Sequence, residues 1–223
     1  MVGLIGALQR YGAAALRRKA AAVLLAILPS AQIAAAEVKV VALGDSLTHG
    51  YGLAIEDGFV PQLQAWLRAN GAPDATVINA GVSGDTTAGG LARFEWSVAD
   101  GADAVIVELG GNDLLRAIDP AASRANLDGI LTKAGDKGLP VLLTGMQAPL
   151  NYGPDYKAAF DAMYPELAEK HGAIHDEFFL EGLVGDQSLF QSDGIHPNKE
   201  GVAKIVERFG PLVLQLIARV GEG

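Results

Sequence analysis

The 223-residue chain contains no cysteine, and it has fewer basic than acidic residues. Without cysteine it can form no disulfide, no zinc–thiolate site and no thiol nucleophile. Its 17 lysines and arginines stand against 26 aspartates and glutamates, which gives a net charge of −9. Nucleic-acid-binding surfaces need clustered positive charge, so we expect no nucleic-acid partner.

The amino-terminal region lacks an apolar run long enough to cross a membrane. Basic residues precede a short apolar stretch at 20–27, and three alanines at 34–36 resemble a cleavage site. A membrane anchor is the alternative, but a spanning helix needs ~20 apolar residues. We therefore predict that residues 1–36 are a secretory signal peptide and that 37–223 form one domain. That domain carries 26 acidic and 13 basic residues, which predicts a periplasmic or secreted monomer without a stable membrane anchor.

Apolar strand patterns alternate with helical patterns along the rest of the chain. The predicted strands are 38–43, 75–79, 104–109, 140–144 and 173–175, and the predicted helices are 59–69, 86–99, 121–137, 155–171 and 199–220. This alternation predicts a five-stranded parallel sheet in an α/β domain, with helices on both faces. Sites in such sheets form beyond the carboxyl ends of the strands.

Ser46 follows the first predicted strand, within Gly44-Asp45-Ser46-Leu47. The Gly-x-Ser-x-Gly elbow that presents the serine of α/β hydrolases is absent around it. Serine after a strand is more often a turn residue than a nucleophile, so this position alone is weak evidence.

Asp193 and His196 supply the other groups that acyl transfer to a serine needs. The histidine could take the serine proton while the aspartate holds its ring in one tautomer. Gly84 and Asn112 follow the second and third strands, where their N–H groups, with that of Ser46, could form an oxyanion hole. Asn112 could instead only cap the next segment through its side chain.

Four motifs in order resemble those of the SGNH, or GDSL, hydrolases. They are Gly44-Asp45-Ser46-Leu47, Ser83-Gly84-Asp85, Gly110-Gly111-Asn112-Asp113 and Asp193-Gly194-Ile195-His196-Pro197. Three longer stretches resemble the bacterial periplasmic arylesterase and acyl-CoA thioesterase I/lysophospholipase group, namely NAGVSGDTTAGGLAR (79–93), VIVELGGNDL (105–114) and APLNYGPDY (148–156). The resemblance spans roughly residues 38 to 215, nearly all of the predicted domain.

The resemblance implies a flavodoxin-like three-layer α/β/α fold, hydrolysis of esters or thioesters, and no cofactor. It implies that Ser46 is the nucleophile, His196 the base and Asp193 its partner, with Ser46, Gly84 and Asn112 in the oxyanion hole. The segment 145–152 resembles the family's substrate-side loop, and from it we expect Met146, Ala148, Pro149 and Leu150 to contact substrate.

Three functions remain open at this point. The first is a serine esterase acting on acyl or aryl esters, acyl thioesters or lysophospholipids through an acyl-enzyme. The second is a deacetylase of polysaccharide or cell-wall sugars, because the same site would serve both reactions. The third is a non-catalytic binding module, which the complete set of five site residues disfavours.

Overall fold

The computed structural model describes residues 37–221, whose centre is a sheet of five parallel strands. The strands are β1 (Val38–Gly44), β2 (Ala75–Gly81), β3 (Ala104–Glu108), β4 (Val141–Thr144) and β5 (Ile174–Asp176). All residues of β3 and β4 are buried, as expected for inner strands covered on both faces. The order β2-β1-β3-β4-β5 is the flavodoxin-like order. The predicted fold class is confirmed.

Seven helices are present in the described part of the chain: α1 (Ser46–His49), α2 (Phe59–Ala69), α3 (Thr87–Ser97), α4 (Gly111–Leu115), α5 (Pro120–Asp136), α6 (Pro154–His171) and α7 (Lys199–Ala218). The five long ones begin and end within about two residues of the predicted bounds, because their apolar residues recur at helical spacing. The one-turn helices α1 and α4 were not predicted. Short 3₁₀ turns occur at Ile55–Asp57, Leu150–Tyr152 and Gln187–Leu189.

The helices cover the sheet in two layers. Helices α2 and α7 pack together on one side, while α5 packs between α3 and α6 on the other. Phe59, Phe179 and Phe209 meet edge to face in the α2–α7 layer, with ring centroids 5.1 to 5.7 Å apart. These rings are almost fully buried, and edge-to-face packing adds to the stabilisation from burial.

The strand register places the functional loops side by side. Gly44 at the end of β1 pairs with both Gly81 of β2 and Glu108 of β3. The chain leaves β1 toward β2 and returns to the other side of β1 for β3, so the connections after β1 and β3 diverge. A crevice opens at such a switch point, and ligands bind there in this class of sheet.

The predicted signal peptide, residues 1–36, lies outside the described residues. Within residues 37–221, no helix is long and apolar enough to cross a membrane.

Candidate active site

Ser46 is the first residue of the one-turn helix α1, directly after β1. Asp45 caps this helix by accepting the Leu47 N–H at 3.0 Å, and Gly50 ends it in the left-handed conformation at φ 86°. A side chain on Gly44 would overlap Thr48, so glycine lets the helix fold back tightly onto the strand end. Because the first N–H groups of a helix have no intrahelical acceptor, the Ser46 N–H is available to a ligand.

Ser46, His196 and Asp193 form one hydrogen-bonded chain. His196 Nε2 lies 2.9 Å from Ser46 Oγ, and His196 Nδ1 lies 2.7 Å from Asp193 Oδ2. A carboxylate accepts only, so Nδ1 carries the ring proton and Nε2 is left to accept from the serine hydroxyl. The geometry is that of a nucleophile, its base and the group that orients the base.

Asp193 is held as a carboxylate by its own loop. Its Oδ1 accepts the backbone N–H groups of Ile195 and His196 at 2.9 and 3.0 Å. The hydrogen bond from the His196 ring, followed by these two N–H bonds, lowers the pKa of Asp193 to about 2. The carboxylate therefore stays charged over the whole neutral range and keeps the His196 ring in one orientation.

Gly84 and Asn112 line the same cavity as Ser46 and His196. Gly84 has φ 84°, a conformation that favours glycine. The Asn112 amide donates one hydrogen bond to Asp45 Oδ2 at 3.0 Å. An amide nitrogen carries two N–H groups, so Asn112 retains a second donor for a negatively charged oxygen.

Two arginines hold the loop that carries Gly84. Arg93 pairs with Asp85 at 2.7 Å and also donates to the Ala80 carbonyl at 2.7 Å. From the other side, Arg116 Nη2 donates to the Gly84 carbonyl at 2.7 Å. The position of the Gly84 peptide is thus fixed from both ends of the loop.

A buried carboxyl pair lies beneath the serine turn. Glu108 is fully buried, and its Oε2 accepts Thr48 Oγ1 at 2.8 Å and the N–H groups of Asp45 and Thr48 at 3.3 Å. Burial, and then the charge of Asp45, raise the pKa of Glu108 well above its ordinary value. Burial also raises the pKa of Asp45, against the Leu47 N–H and the Asn112 amide, which lower it. Two adjacent buried carboxylates repel each other, so the pair favours a form in which one of the two carboxyl groups is protonated.

Glu108 was not assigned a role from the sequence. It stands at the end of an otherwise apolar strand, directly before Leu109-Gly110-Gly111. The signal that could have identified Glu108 is a charged residue at the end of a buried strand, because an ionisable group is rarely buried without a partner.

The cavity beside Ser46 has a volume of about 330 Å³ and mainly apolar walls. Its apolar side chains are Leu47, Leu114, Leu115, Met146, Phe178, Leu180 and Ile195. Leu115 and Ile195 are exposed at 60% and 48%, so the walls extend to the surface. Such a cavity suits an acyl or aryl group, because burying apolar ligand surface against apolar walls removes it from water, which is favourable.

Of the four expected substrate contacts, the structure brings only Met146 to this cavity. Ala148 is instead tied to α6, through its N–H to Asp161 Oδ1 and its carbonyl to Lys157 Nζ, both at 2.8 Å. These bonds turn the chain away from Ser46, and Pro149 and Leu150 lie exposed outside the cavity lining. The structure therefore does not place these three residues at the cavity beside Ser46, and their contact with substrate stays a prediction.

No cluster of three histidine, aspartate or glutamate side chains that could hold a metal ion occurs between residues 37 and 221.

The fold and the site together define the class of serine-dependent hydrolases, in which a histidine activates a serine next to oxyanion donors. Residues 42–204 match the family described as "GDSL-like Lipase/Acylhydrolase family". The chain belongs to this family, and the resemblance noted from its motifs is confirmed.

Relatives and solved structures agree with this family. The chain is 42% identical to Esterase TesA of Pseudomonas aeruginosa over 194 residues, which cover 86% of the chain and 96% of that protein. It is 36% identical to Thioesterase 1/protease 1/lysophospholipase L1 of Escherichia coli K12 over 75% of the chain and 79% of that protein. The crystal structure of the esterase EstA from Pseudoalteromonas sp., inhibited by monoethylphosphonate, is 30% identical. It matches with a TM-score of 0.76 over 81% of the chain and 98% of that structure.

Proposed function

We propose that this protein is a serine esterase that hydrolyses carboxylic esters of acyl and aryl type through an acyl-enzyme on Ser46. The observation that carries the proposal is the 2.9 Å contact of Ser46 Oγ with His196 Nε2, whose opposite nitrogen faces Asp193. The names of the esterase and thioesterase relatives support the same reaction class.

Acylation begins when Ser46 Oγ attacks the ester carbonyl carbon while its proton passes to His196 Nε2. The carbonyl oxygen becomes negatively charged, and the N–H groups of Ser46 and Gly84 and the Asn112 amide stabilise it. When the intermediate collapses, the bond to the leaving oxygen breaks and His196 returns the proton to that oxygen. The products are a free alcohol and an ester of Ser46.

Deacylation repeats these steps with water as the nucleophile. A water molecule gives its proton to His196 Nε2 and attacks the acyl carbon of the Ser46 ester. The same three donors stabilise the second intermediate, which releases a carboxylic acid as the proton returns to Ser46 Oγ. Asp193 remains ionised throughout and stabilises the imidazolium that forms in each half.

The apolar cavity walls favour acyl and aryl esters over acetylated sugars as substrates. A sugar ring presents hydroxyl groups that need hydrogen-bond partners, and seven apolar side chains line the cavity beside Ser46. Acyl thioesters and lysophospholipids carry the same kind of acyl group, so they belong to the proposed substrate range.

Export to the periplasm or the medium is part of the proposal. It is supported by the basic residues, the short apolar stretch at 20–27 and the three alanines at 34–36. Expression of the full chain followed by amino-terminal sequencing of the exported form is expected to give a mature protein that begins at residue 37. Recovery of the full-length chain from the cell interior alone would contradict this part.

Hydrolysis rates across a substrate panel test the enzymatic proposal. The panel contains p-nitrophenyl esters from acetyl to dodecanoyl, acyl-CoA thioesters of the same lengths and an acetylated sugar. We expect activity on the esters and little on the sugar, with Ser46→Ala inactive throughout. Preferential release of acetate from the sugar would favour the deacetylase, and no turnover of any substrate would favour a binding module.

A further inference from the structure

The His196 ring has a third neighbour besides Ser46 and Asp193. The ring of Tyr51 lies against its face, with centroids 4.7 Å apart and planes inclined at 40°. Tyr51 follows the end of α1 by two residues and is half-exposed. It lines the cavity beside Ser46 and also a small crevice next to Pro197.

The two hydrogen bonds of His196 leave one motion of its ring unrestrained. Both are made by nitrogens at the ring edge, so the ring can tilt about the line that joins them. The χ2 energy well of histidine is broad and opposes such a tilt only weakly. A second ring packed on the imidazole face opposes the tilt directly, and Tyr51 occupies that position.

The Tyr51 ring also faces charge during the reaction. His196 becomes an imidazolium when it takes the Ser46 proton, and the face of an aromatic ring attracts a cation within about 6 Å of its centre. The other charged or titratable groups that face His196 are Asp193 on its own loop and the buried Asp45 beneath the serine turn. Both stay in place when residue 51 is changed, so the contribution of Tyr51 can be separated from theirs.

Gln191 fixes the backbone on both sides of this contact. Its Nε2 donates to the Tyr51 carbonyl at 2.8 Å and to the Pro197 carbonyl at 3.0 Å. Its backbone N–H donates to the His196 carbonyl at 2.8 Å. A side chain on Gly52, which has φ 76°, would overlap Gln191 Oε1, so the chain passes tightly against this amide.

We propose that Tyr51 is a positioning residue for the reaction, acting on His196 through ring contact, and that Gln191 holds the two together. Tyr51 keeps Nε2 aimed at Ser46 Oγ and stabilises the imidazolium formed in each half-reaction. This inference rests on the proposed function, because it assigns His196 the role of the base.

Two variants of Tyr51 test the proposal on p-nitrophenyl butyrate. Tyr51→Leu keeps apolar bulk but removes the aromatic face. We expect kcat to fall about threefold to tenfold, and the acid limb of the kcat/KM pH profile to move about half a pH unit lower, because the imidazolium loses a favourable contact. Tyr51→Phe keeps the aromatic face, so the acid limb of its kcat/KM pH profile is expected to lie at the wild-type position.

Gln191→Glu tests whether the Gln191 amide holds Tyr51 against His196. Glutamate preserves the shape of the side chain, but its carboxylate has no N–H to donate and would face two carbonyl oxygens. We therefore expect kcat to fall. Active-site titration with a fluorophosphonate corrects each rate for the fraction of folded enzyme. A purely structural role of Tyr51 would lower that fraction or the melting temperature without moving the acid limb.

Ser46→Ala measured in parallel distinguishes a failure of the proposed role of Tyr51 from a failure of the proposed function. If Ser46→Ala is inactive while Tyr51→Leu keeps the wild-type acid limb and a kcat within twofold, the role of Tyr51 is refuted and the proposed function stands. If Ser46→Ala retains activity, the proposed function itself fails.

Discussion

Asn112→Ala is the substitution whose effect follows most directly from the geometry of the site. The Asn112 amide has one N–H bonded to Asp45 at 3.0 Å and one left for the oxyanion. Removal of one such donor typically lowers kcat by about 10²–10³, or about 3–4 kcal/mol of transition-state stabilisation. KM should change little, because the donor acts on charge that develops only in the transition state.

The assay is steady-state hydrolysis of p-nitrophenyl butyrate, with urea unfolding of each variant. Loss of the bond to the buried Asp45 should lower the free energy of unfolding by about 1.5–3 kcal/mol, which leaves the protein folded. Asn112→Asp has the same shape without the donors and places a carboxyl next to Asp45, so it should be at least as slow. Asn70→Ala, at the exposed carboxyl end of α2, is the matched control and should keep wild-type rates.

The reasoning is refuted if folded Asn112→Ala keeps kcat within tenfold of the wild type. The amide would then serve only to hold Asp45, and the oxyanion would depend on the N–H groups of Ser46 and Gly84 alone.

Two further predictions concern the buried acid and the cavity mouth. The raised pKa of Glu108 means that its contribution to stability is present below the ordinary glutamate pKa of about 4.3 and is lost as pH rises. In urea unfolding, the free energy of unfolding of Glu108→Gln should therefore rise relative to that of the wild type, by up to about 1.4 kcal/mol per pH unit above that value. A difference between the two proteins that does not change with pH would contradict the raised pKa of Glu108. Leu115→Asp places charge on the exposed apolar mouth, so kcat/KM for octanoyl relative to acetyl esters should fall about tenfold. An unchanged ratio would mean that acyl chains leave the site elsewhere.

The long elements of the fold could be predicted from the sequence because their periodicity is set by the residues themselves. Phe59, Leu63 and Leu67 recur at helical spacing, and all three are buried in α2. The helices α1 and α4 are too short to have a period. They exist because tertiary contacts hold them, as when Thr48 bonds to Glu108 on a strand 60 residues away.

The chemical groups of the candidate site could be identified because each has its own motif, whereas most of the cavity walls, Met146 excepted, could not. Leu115 ends α4, whereas Phe178 and Leu180 lie on the connection after β5, and the two parts meet only after the sheet has formed. The 148–150 segment does not line this cavity, because Ala148 is bonded to Lys157 and Asp161 on α6, and no local sequence pattern indicates these contacts.

Covalent labelling with a fluorophosphonate tests the central claim most directly. The reagent reacts with a serine that an adjacent base activates, so we expect one adduct per protein, located on Ser46 by peptide mass mapping. Esterase activity should disappear in proportion to the adduct, and Ser46→Ala should remain unlabelled. An adduct on another residue that accompanies the loss of activity, or full activity with Ser46 completely modified, would contradict the account.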